Sequence, residues 1–440
     1  MPQFGFSTQQ VHGGVSPVRE HGARVAPLHL SAGFVFDDFD QAEARFAGTV
    51  EGYSYTRLGN PTNAAVERKV ALLEGGTDAL LVGTGQAAVA LTVLSILQAG
   101  DHILSADSIY EGSRNLFEHN LARFGITVDF VRDHDDPAAW ERAIRPNTRL
   151  LFGEGIPNPK NDLLDIEAVA RVAHAHGLPL VIDNTLATPY LQRPLELGAD
   201  IVVHSASKFL AGHGTALGGV VVDGGRFDWG GSERPSAPLT EPDPFLDGAS
   251  FVEKFGRNAF MAYARGVSAA RLGPAPAPFN AFLIGQGIET LSLRIERQSG
   301  SALAIARWLE TRDEVESVDH AGLESSPYHA LGQRLLPRGQ GSVFAFTIKG
   351  GQEAARRFSD ALTLFSRMTH LGDVRSLVLH PATTTHAHRS AEQLAASGIG
   401  PGLLRLSIGV EDVDDLIGDL QRCLEQLPAL QEEPVLAVVS

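Results

Sequence analysis

The hydrophobic positions of this chain form short apolar runs that alternate with segments of helical spacing. Three runs follow one another closely, at Leu180–Ile182, Ile201–Val203 and Gly219–Val222. Each is rich in β-branched residues and bounded by polar residues or glycine, which is typical of buried strands in a parallel sheet. The same pattern predicts four earlier strands, at Ala79–Val82, His102–Ser105, Thr127–Val131 and Arg149–Gly153.

Helical spacing fills the segments between most of these runs. Asn60 followed by Pro61 marks a helix start, and Gly75 ends that helix. The alternation predicts an α/β fold, with a mostly parallel seven-stranded sheet and helices on both faces. The predicted helices are Pro61–Glu74, a segment ending at Leu97, Glu111–Phe124, Pro137–Ile144 and Ile166–His176.

The pattern changes after Asp223. Residues 224–252 are rich in Gly, Pro, Ser and Asp, which indicates a long surface connection or insertion. Further helices are predicted at Phe255–Ala270, Phe279–Leu283 and, as a long bridge between domains, Glu289–Arg312. The remaining pattern predicts strands at Val315–Val318, Ser342–Ile348, Ser376–Leu379 and Leu403–Ile408 and helices at Gln352–Leu362 and Val413–Leu427.

These patterns predict three parts. Residues 1–60 form an arm with little periodic structure apart from a short helix at Phe39–Phe46. Residues 61–285 form a large ligand-binding domain, and residues 286–440 form a smaller C-terminal α+β domain. A chain of 440 residues is long enough for at least two cores.

Charge and composition exclude several classes of partner. Lys and Arg number 36 against 52 Asp and Glu, giving a net charge of −16, so neither nucleic acid nor an anionic membrane is expected to bind. No apolar run approaches the roughly 20 residues of a membrane span. The N-terminus lacks the basic and apolar regions of a secretory signal. The single cysteine, Cys423, fits a structural thiol in a reducing cytoplasm.

Candidate chemistry lies at the ends of the predicted strands. Asp183 directly follows one run, and Lys208 follows the next within SASKFLAGHG. Alone, such residues are more often a turn former and a solvated lysine. The serines and glycines around Lys208, however, supply the donors and close backbone approach that a phosphate needs. A lysine beside such a turn, with a carboxylate at the neighbouring strand end, suits pyridoxal phosphate.

A second anion site is predicted where Gly83–Gln86 joins a strand to a helix. This signal is weak alone, and a nucleotide-binding α/β protein is an alternative that it permits. The chain has no G-x-x-x-x-G-K-[ST] motif, which weighs against that alternative.

Several motifs together resemble the Cys/Met-metabolism family of pyridoxal-phosphate enzymes, which have the aspartate aminotransferase-like fold (fold type I). The resemblance covers nearly the whole chain and is closest to the O-acetylhomoserine sulfhydrylase (aminocarboxypropyltransferase) branch. It implies a γ-replacement that turns O-acetylhomoserine and sulfide, or a small thiol, into homocysteine or methionine and acetate. The motifs are YTRLGNPTN, LEGG, GTGQAA, DNTLATPYLQRPLELGADIVVHSASKFLAGHG, FNAFLIGQGIETLSLR, HPATTTH and LRLSIGVED.

The resemblance also implies catalytic roles. Lys208 is expected to form the Schiff base with the cofactor and to move the substrate's α-proton. Asp183 is expected to pair with the pyridine nitrogen. Tyr110, in DSIYEGS, is expected to stack on the cofactor ring and to help move protons.

Binding roles follow from the same resemblance. Arg405 is expected to bind the substrate α-carboxylate, a bidentate task that suits guanidinium. Asn158, in GIPNPK, is expected near the ring hydroxyl and the substrate. Tyr55 and Arg57 are expected to reach the phosphate of a neighbouring subunit, which implies shared active sites in a homotetramer built as a dimer of dimers. The phosphate ligands implied within one chain are Gly85, Gln86, Ser205 and Ser207.

Two departures from the family pattern bear on specificity. His370 stands in MTHLGD where the family usually has Ser or Asn, so substrate preference stays open, although histidine also donates to a carboxylate. No cysteine follows Tyr110, which argues against a methionine γ-lyase. Cystathionine γ-synthase, O-succinylhomoserine sulfhydrylase and γ-lyase activities remain alternatives, as does a non-catalytic regulator. No metal site is expected, since the candidates His380, His386 and His388 have no convincing carboxylate partner.

Overall fold

A computed structural model of the chain describes residues 4–14 and 22–427, which divide into two compact units. The first unit contains the chain up to Gly155 and Leu164–Ser292, and the second contains Ile156–Leu163 and the chain from Leu293. The predicted division into an arm, a large domain and a C-terminal domain stays a prediction. No sequence pattern indicated that Ile156–Leu163 belongs with the C-terminal unit.

The strands of the first unit match the predicted apolar runs, with ends that differ by a residue or so. They are β1 (Asp78–Val82), β2 (His102–Ala106), β3 (Thr127–Val131), β4 (Thr148–Glu154), β5 (Leu180–Asp183), β6 (Ile201–His204) and β7 (Gly219–Asp223).

Within the described residues these strands form one seven-stranded sheet in the order β1-β7-β6-β5-β4-β2-β3. The five strands from β2 to β6 pair in parallel. β7 runs antiparallel to both β1 and β6, so the prediction of a parallel strand at Gly219–Val222 was wrong. Parallel neighbours need a crossover connection, usually a helix, whereas the link from β6 to β7 is made of turns.

Several helices of the first unit pack against this sheet. The best-marked is the one after Asn60, whose side chain accepts a hydrogen bond from the Thr62 N–H (2.9 Å), with Pro61 first in the helix. The α-helices are α1 (Phe6–His12), α2 (Phe39–Phe46), α3 (Pro61–Glu74), α4 (Gly85–Ile96), α5 (Glu111–Asn115), α6 (Pro137–Ala143), α7 (Ile166–Ala175), α8 (Thr188–Leu191), α9 (Ala237–Thr240), α10 (Phe251–Phe255), α11 (Ala259–Tyr263), α12 (Ala270–Leu272) and α13 (Pro278–Ile288).

Two predicted continuous helices are broken. After α5 the chain continues as a π-helix over Leu116–Asn120 and a 3₁₀-helix over Leu121–Phe124. The segment from Phe255 to Ala270 likewise passes through 3₁₀, α and π turns. Side-chain periodicity does not separate these helix types over one or two turns.

Residues 224–252 lie mostly at the surface, in line with the prediction of a surface connection or insertion, but a few of their side chains are buried. Trp229 is 3% exposed, and Leu239 and Phe251 are also buried in the core of the first unit. The Trp229 ring lies 4.7 Å from that of Phe227 and 5.7 Å from that of Phe260, measured between centroids. A few large apolar residues therefore hold a Gly- and Pro-rich segment against the core.

The second unit has its own sheet and core. Its helices and strands are α14 (Leu291–Glu310, which starts in the first unit), β8 (Val315–Asp319), α15 (His329–Leu335), β9 (Val343–Ile348), α16 (Gly351–Ala361), β10 (Ser366–Arg367), β11 (Leu377–Leu379), α17 (Ala391–Ala396), β12 (Leu403–Ser407) and α18 (Val413–Glu425).

Among the described residues the sheet of this unit has the order β10-β11-β12-β9-β8 and is antiparallel except between β10 and β11. Its core includes Phe344, Phe346 and Phe358. Cys423 is buried in the same core, and burial raises the pKa of its thiol to about 11, which fits the predicted structural role. In the described part of the chain no helix is long and apolar enough to cross a membrane.

Candidate active site

Asp183 and Lys208 lie at the same edge of the large sheet. Asp183 is the last residue of β5, and Lys208 lies in the turn that follows β6. The two strands are parallel neighbours, so their carboxyl ends meet at one edge, where open α/β sheets bind ligands. The Lys208 N–H donates to the Ser205 carbonyl (3.1 Å), and the Lys208 carbonyl accepts from the Gly212 N–H (2.7 Å). The fold thus brings together the two residues on which the cofactor prediction depends.

Asp183 presents one carboxylate oxygen to the protein and one to a ligand. Its Oδ1 accepts hydrogen bonds from the Thr185 N–H (3.0 Å) and the Thr185 hydroxyl (2.5 Å). Among the described residues, no donor is bonded to Oδ2. Burial raises the pKa of Asp183, while the Thr185 bonds and the nearby His204 act in the opposite direction. A cationic donor such as a protonated pyridine nitrogen fits this position, because it supplies the charge that burial otherwise disfavours.

The start of α4 provides donors for an anion. Thr84 caps the helix by accepting a hydrogen bond from the Ala87 N–H (3.1 Å). The N–H groups of Gly85 and Gln86 donate to no acceptor in the described part of the chain, as expected of the first residues in a helix. A Cβ on Gly85 would lie 2.6 Å from the Cβ of Ser205, so glycine is required for this close approach. The free N–H groups and Ser205 together fit a phosphate.

The two serines of the lysine turn are held differently. The Ser205 N–H donates to the Thr185 hydroxyl (2.8 Å), which connects the turn to Asp183. The Ser207 hydroxyl donates to the Gly218 carbonyl (3.2 Å) and accepts from the Gly218 N–H (3.0 Å). Ser207 therefore fixes the turn to the start of β7, and its predicted contact with phosphate stays a prediction.

Tyr110 is placed by a residue that sequence reasoning missed. It precedes α5, and its N–H donates to Oε1 of Glu154 (2.6 Å), at the end of β4. Glu154 is buried and is the register partner of Asp183 on the neighbouring strand. A Cβ on Gly112 would collide with the Tyr110 ring and the Gln86 side chain, so these groups lie together. A carboxylate at a third strand end was the available signal for Glu154.

The second unit assembles a separate group of predicted residues around Arg405 of β12. Arg405 is 2% exposed, and its Nη1 donates to Oδ1 of Asn158 (3.2 Å). Its Nη2 donates to the carbonyls of Thr369 (3.3 Å) and His370 (3.0 Å). His370 thus meets Arg405 through its main chain, whereas its predicted role used the side chain. The buried guanidinium and the amide of Asn158 suit a carboxylate ligand.

The two residues predicted to serve a neighbouring subunit lie on the arm. Tyr55 forms an isolated β-bridge with Gly33, and its ring is half exposed. The Arg57 guanidinium carbon lies 5.5 Å from the centre of the Tyr55 ring, and Arg57 donates to the Ala270 carbonyl of its own chain.

Two of the three histidines of HPATTTHAH bond neighbouring groups of the protein. His380 bonds the Thr383 hydroxyl through Nδ1 (2.8 Å) and the Pro401 carbonyl through Nε2 (2.9 Å), and His386 bonds Thr385. No group of three or more His, Cys, Asp or Glu side chains within residues 4–14 and 22–427 is arranged to hold a metal ion.

Comparison with known proteins gives one consistent family. A profile described as "Cys/Met metabolism PLP-dependent enzyme" matches residues 7–425. The O-acetyl-L-homoserine sulfhydrylases of Corynebacterium glutamicum and Leptospira meyeri are 45% and 43% identical to the chain. The first match covers 95% of this chain and 96% of the relative, and the second covers 97% and 98%.

A solved structure agrees. The crystal structure of a putative O-acetylhomoserine (thiol)-lyase from Campylobacter jejuni, which contains a pyridoxyl-lysine phosphate, superposes with a TM-score of 0.92 at 34% identity. The superposition covers 96% of this chain and 100% of that one. The matching profile and the relatives that align over nearly the whole length lead to one conclusion: the chain belongs to the Cys/Met-metabolism family of pyridoxal-phosphate-dependent enzymes.

Proposed function

We propose that this protein is an O-acetylhomoserine sulfhydrylase. It converts O-acetyl-L-homoserine and sulfide, or a small thiol, into L-homocysteine, or methionine, and acetate. The observation that carries the proposal is the pairing of Lys208 with Asp183 at neighbouring strand ends, beside the free N–H groups of Gly85 and Gln86. The names of the relatives at 45% and 43% identity support the substrate.

Pyridoxal phosphate, when bound, supplies an electron sink for negative charge that develops at the substrate α-carbon. Lys208 would hold the cofactor, and Asp183 would keep the pyridine nitrogen protonated. The Lys208 Nζ would then take the substrate's α-proton and assist at the β-carbon.

The remaining residues position the reactants. Gly85, Gln86, Ser205 and Ser207 bind the phosphate, and Tyr110 stacks on the cofactor ring. Tyr110 is suited to stacking because its ring is half exposed while Glu154 anchors its main chain. In the second unit, Arg405 and Asn158 bind the substrate α-carboxylate, and His370 lies next to them.

The bond changes balance without an oxidant or a metal. The Cγ–O bond of O-acetylhomoserine breaks and acetate leaves with the bonding electrons. The sulfur nucleophile then forms a Cγ–S bond, and protons return to the β- and α-carbons. Lys208 Nζ serves both proton transfers at the α-carbon.

We also propose a cytoplasmic homotetramer, a dimer of dimers, in which Tyr55 and Arg57 of one protomer reach the phosphate site of another. The exposed apolar side chains of the N-terminal arm support this proposal. Val35, Phe39 and Phe46 are 89%, 82% and 76% exposed, more apolar surface than a soluble protomer usually leaves uncovered. A second copy of the chain is the occupant that also completes the phosphate site.

The test is a product assay with the purified protein. Homocysteine and acetate are measured with O-acetylhomoserine and sulfide, and the comparison arms replace the ester by O-succinylhomoserine or the sulfide by cysteine. We expect equimolar homocysteine and acetate, with kcat/KM at least about tenfold higher for the acetyl ester than for the succinyl ester. Cystathionine as the main product, or a preference for the succinyl ester, contradicts the proposal in favour of the related activities.

A further inference from the structure

Glu74, the last residue of α3, is a carboxylate completely buried beneath the candidate active site. Its Oε1 accepts two hydrogen bonds, from His204 Nε2 (2.6 Å) and Asn184 Nδ2 (2.9 Å). The His204 side chain is also completely buried. Burying a charge is costly unless it is paired, so a Glu–His pair of this kind needs a reason within the fold.

The two partners of Glu74 flank the cofactor-binding residues in the chain. Asn184 directly follows Asp183, and its N–H donates to the Val203 carbonyl (2.9 Å), which joins β5 to β6. His204 is the last residue of β6 and directly precedes Ser205. The Glu74 side chain therefore links, by hydrogen bonds, the ends of the two strands that carry Asp183 and the lysine turn.

The pair lies behind the sheet and does not face the ligand side. Asp183 and Val203 are register partners, so their side chains point to the same face. His204 follows Val203 along the strand, and its side chain points to the opposite face. Glu74 therefore acts on the site through other residues.

The Glu74–His204 pair also bears on the pKa of Asp183. Burial raises the pKa of Asp183, and the nearby His204 lowers it again. Glu74 holds the His204 ring in place at hydrogen-bond distance (2.6 Å). The Glu74 contact therefore keeps close to Asp183 a group that favours its ionised form.

We propose that Glu74 is a positioning residue that, through His204 and Asn184, fixes the ends of β5 and β6 and so aims the Asp183 side chain at the pyridine nitrogen of the cofactor. This rests on the proposed function, because that function assigns Asp183 to the pyridine nitrogen. Neither Glu74 nor His204 touches the cofactor.

The same helix offers a matched control. Glu67 lies two turns earlier on α3 and is also buried. It accepts hydrogen bonds from the Leu81 N–H (2.9 Å) and from Arg265 Nη1 (3.0 Å). These partners lie on β1 and in a π-helix, away from the ends of β5 and β6. Replacing Glu67 by Gln therefore removes a similar buried charge without touching the strand ends.

The experiment compares full-length wild-type protein, Glu74→Gln and Glu67→Gln. The dissociation constant of pyridoxal phosphate is measured by absorbance titration of the cofactor-free protein. The protonation of the pyridine nitrogen is read from its ¹⁵N chemical shift in protein loaded with labelled cofactor, and melting temperatures are recorded. We expect Glu74→Gln to weaken cofactor binding at least about tenfold and to move the ¹⁵N shift toward the unprotonated form. Glu67→Gln is expected to lower the melting temperature while both cofactor readouts stay within about twofold of wild type.

A Glu74→Gln protein with wild-type affinity and ¹⁵N shift overturns the proposal, as does equal weakening by Glu67→Gln. If Glu74→Gln does not fold, His204→Leu takes its place, since leucine cannot bond Glu74 and so breaks the link to the end of β6, and the same shifts are expected. If the proposed function itself is wrong, the wild-type protein binds no pyridoxal phosphate, and this result distinguishes the two failures.

Discussion

The contacts of Asp183 fit both interpretations of its sequence position, a turn former and a ligand-binding carboxylate. An Asp after a strand is often a turn former, and Oδ1 does accept the Thr185 N–H two residues on. The other oxygen has no donor among the described residues, so the same carboxylate also offers a charged site to a ligand. The hydrogen bonds of Oδ1 orient the group, and Oδ2 is the oxygen that would meet a ligand.

Arg405 offers a test at the scale of one residue. In Arg405→Lys the charge stays, but the planar fork that holds Asn158 and a carboxylate together is lost. Loss of a charge-assisted hydrogen bond costs about 1.5–3 kcal/mol, or about 10–100-fold in affinity. We expect kcat/KM for O-acetylhomoserine to fall by about that factor, mostly through KM, while the cofactor absorbance stays unchanged.

The matched control is Arg356→Lys, at an exposed arginine of α16 that donates hydrogen bonds to Glu353. Its kinetics should equal those of wild type. An Arg405→Lys protein with unchanged KM would show that the substrate carboxylate binds elsewhere.

Individual strands were predictable because each apolar run carries its own signal, and all seven strands of the large sheet appear where the runs occur. The direction of β7 was not predictable from its run, because direction depends on the connection before it. The burial of Trp229 within a Gly- and Pro-rich segment was hidden for a similar reason. Composition averages over the whole segment, whereas its packing against the core depends on a few large side chains such as Trp229.

The candidate site likewise contains some residues that the sequence identified and others that it did not. Lys208, Asp183 and the glycine turn were identifiable from spacing and residue type. Glu154 and Glu74 were not, because each acts through contacts between segments distant in sequence. Their signals are single carboxylates, which by themselves are ordinary surface residues.

Asp223, at the end of β7, gives a test at the scale of an element. Its side chain is buried, and burial, with the charges of Asp78 and Asp200, raises its pKa to about 7 from the ordinary 3.8. The folded protein therefore holds a proton that the unfolded chain releases, and stability is lost as pH rises from about 4 to about 7. Asp223→Asn keeps the acceptor for the Gly225 N–H (2.8 Å) and removes the ionisation.

We expect Asp223→Asn to increase the free energy of unfolding by about 1–3 kcal/mol more at pH 8 than at pH 5. Urea denaturation at both pH values measures this difference. A gain that is equal at the two pH values, or a loss that grows with pH, would contradict the assignment.

At the scale of the whole molecule, the arm predicts that active sites are shared. Arg57→Ala and Lys208→Ala should each be inactive, because each disables every site in its own homo-oligomer. After subunit exchange in an equal mixture, half of the dimers are mixed and each contains one intact site, so about a quarter of wild-type activity should return.

The control mixes Lys208→Ala with Asp183→Asn. Both substitutions lie in the part of the site that one chain supplies, so mixing creates no intact site and no recovery is expected. Equal recovery in both mixtures, or none in the first despite confirmed exchange, would argue against a shared site.

Chemical trapping tests whether Lys208 carries pyridoxal phosphate. The purified protein is reduced with borohydride and digested, and the modified peptide is identified by mass. We predict a yellow protein with a pyridoxyl phosphate group on Lys208 and a Lys208→Ala variant that carries none. A colourless protein that takes up no pyridoxal phosphate, or a label on a different lysine, would contradict the account.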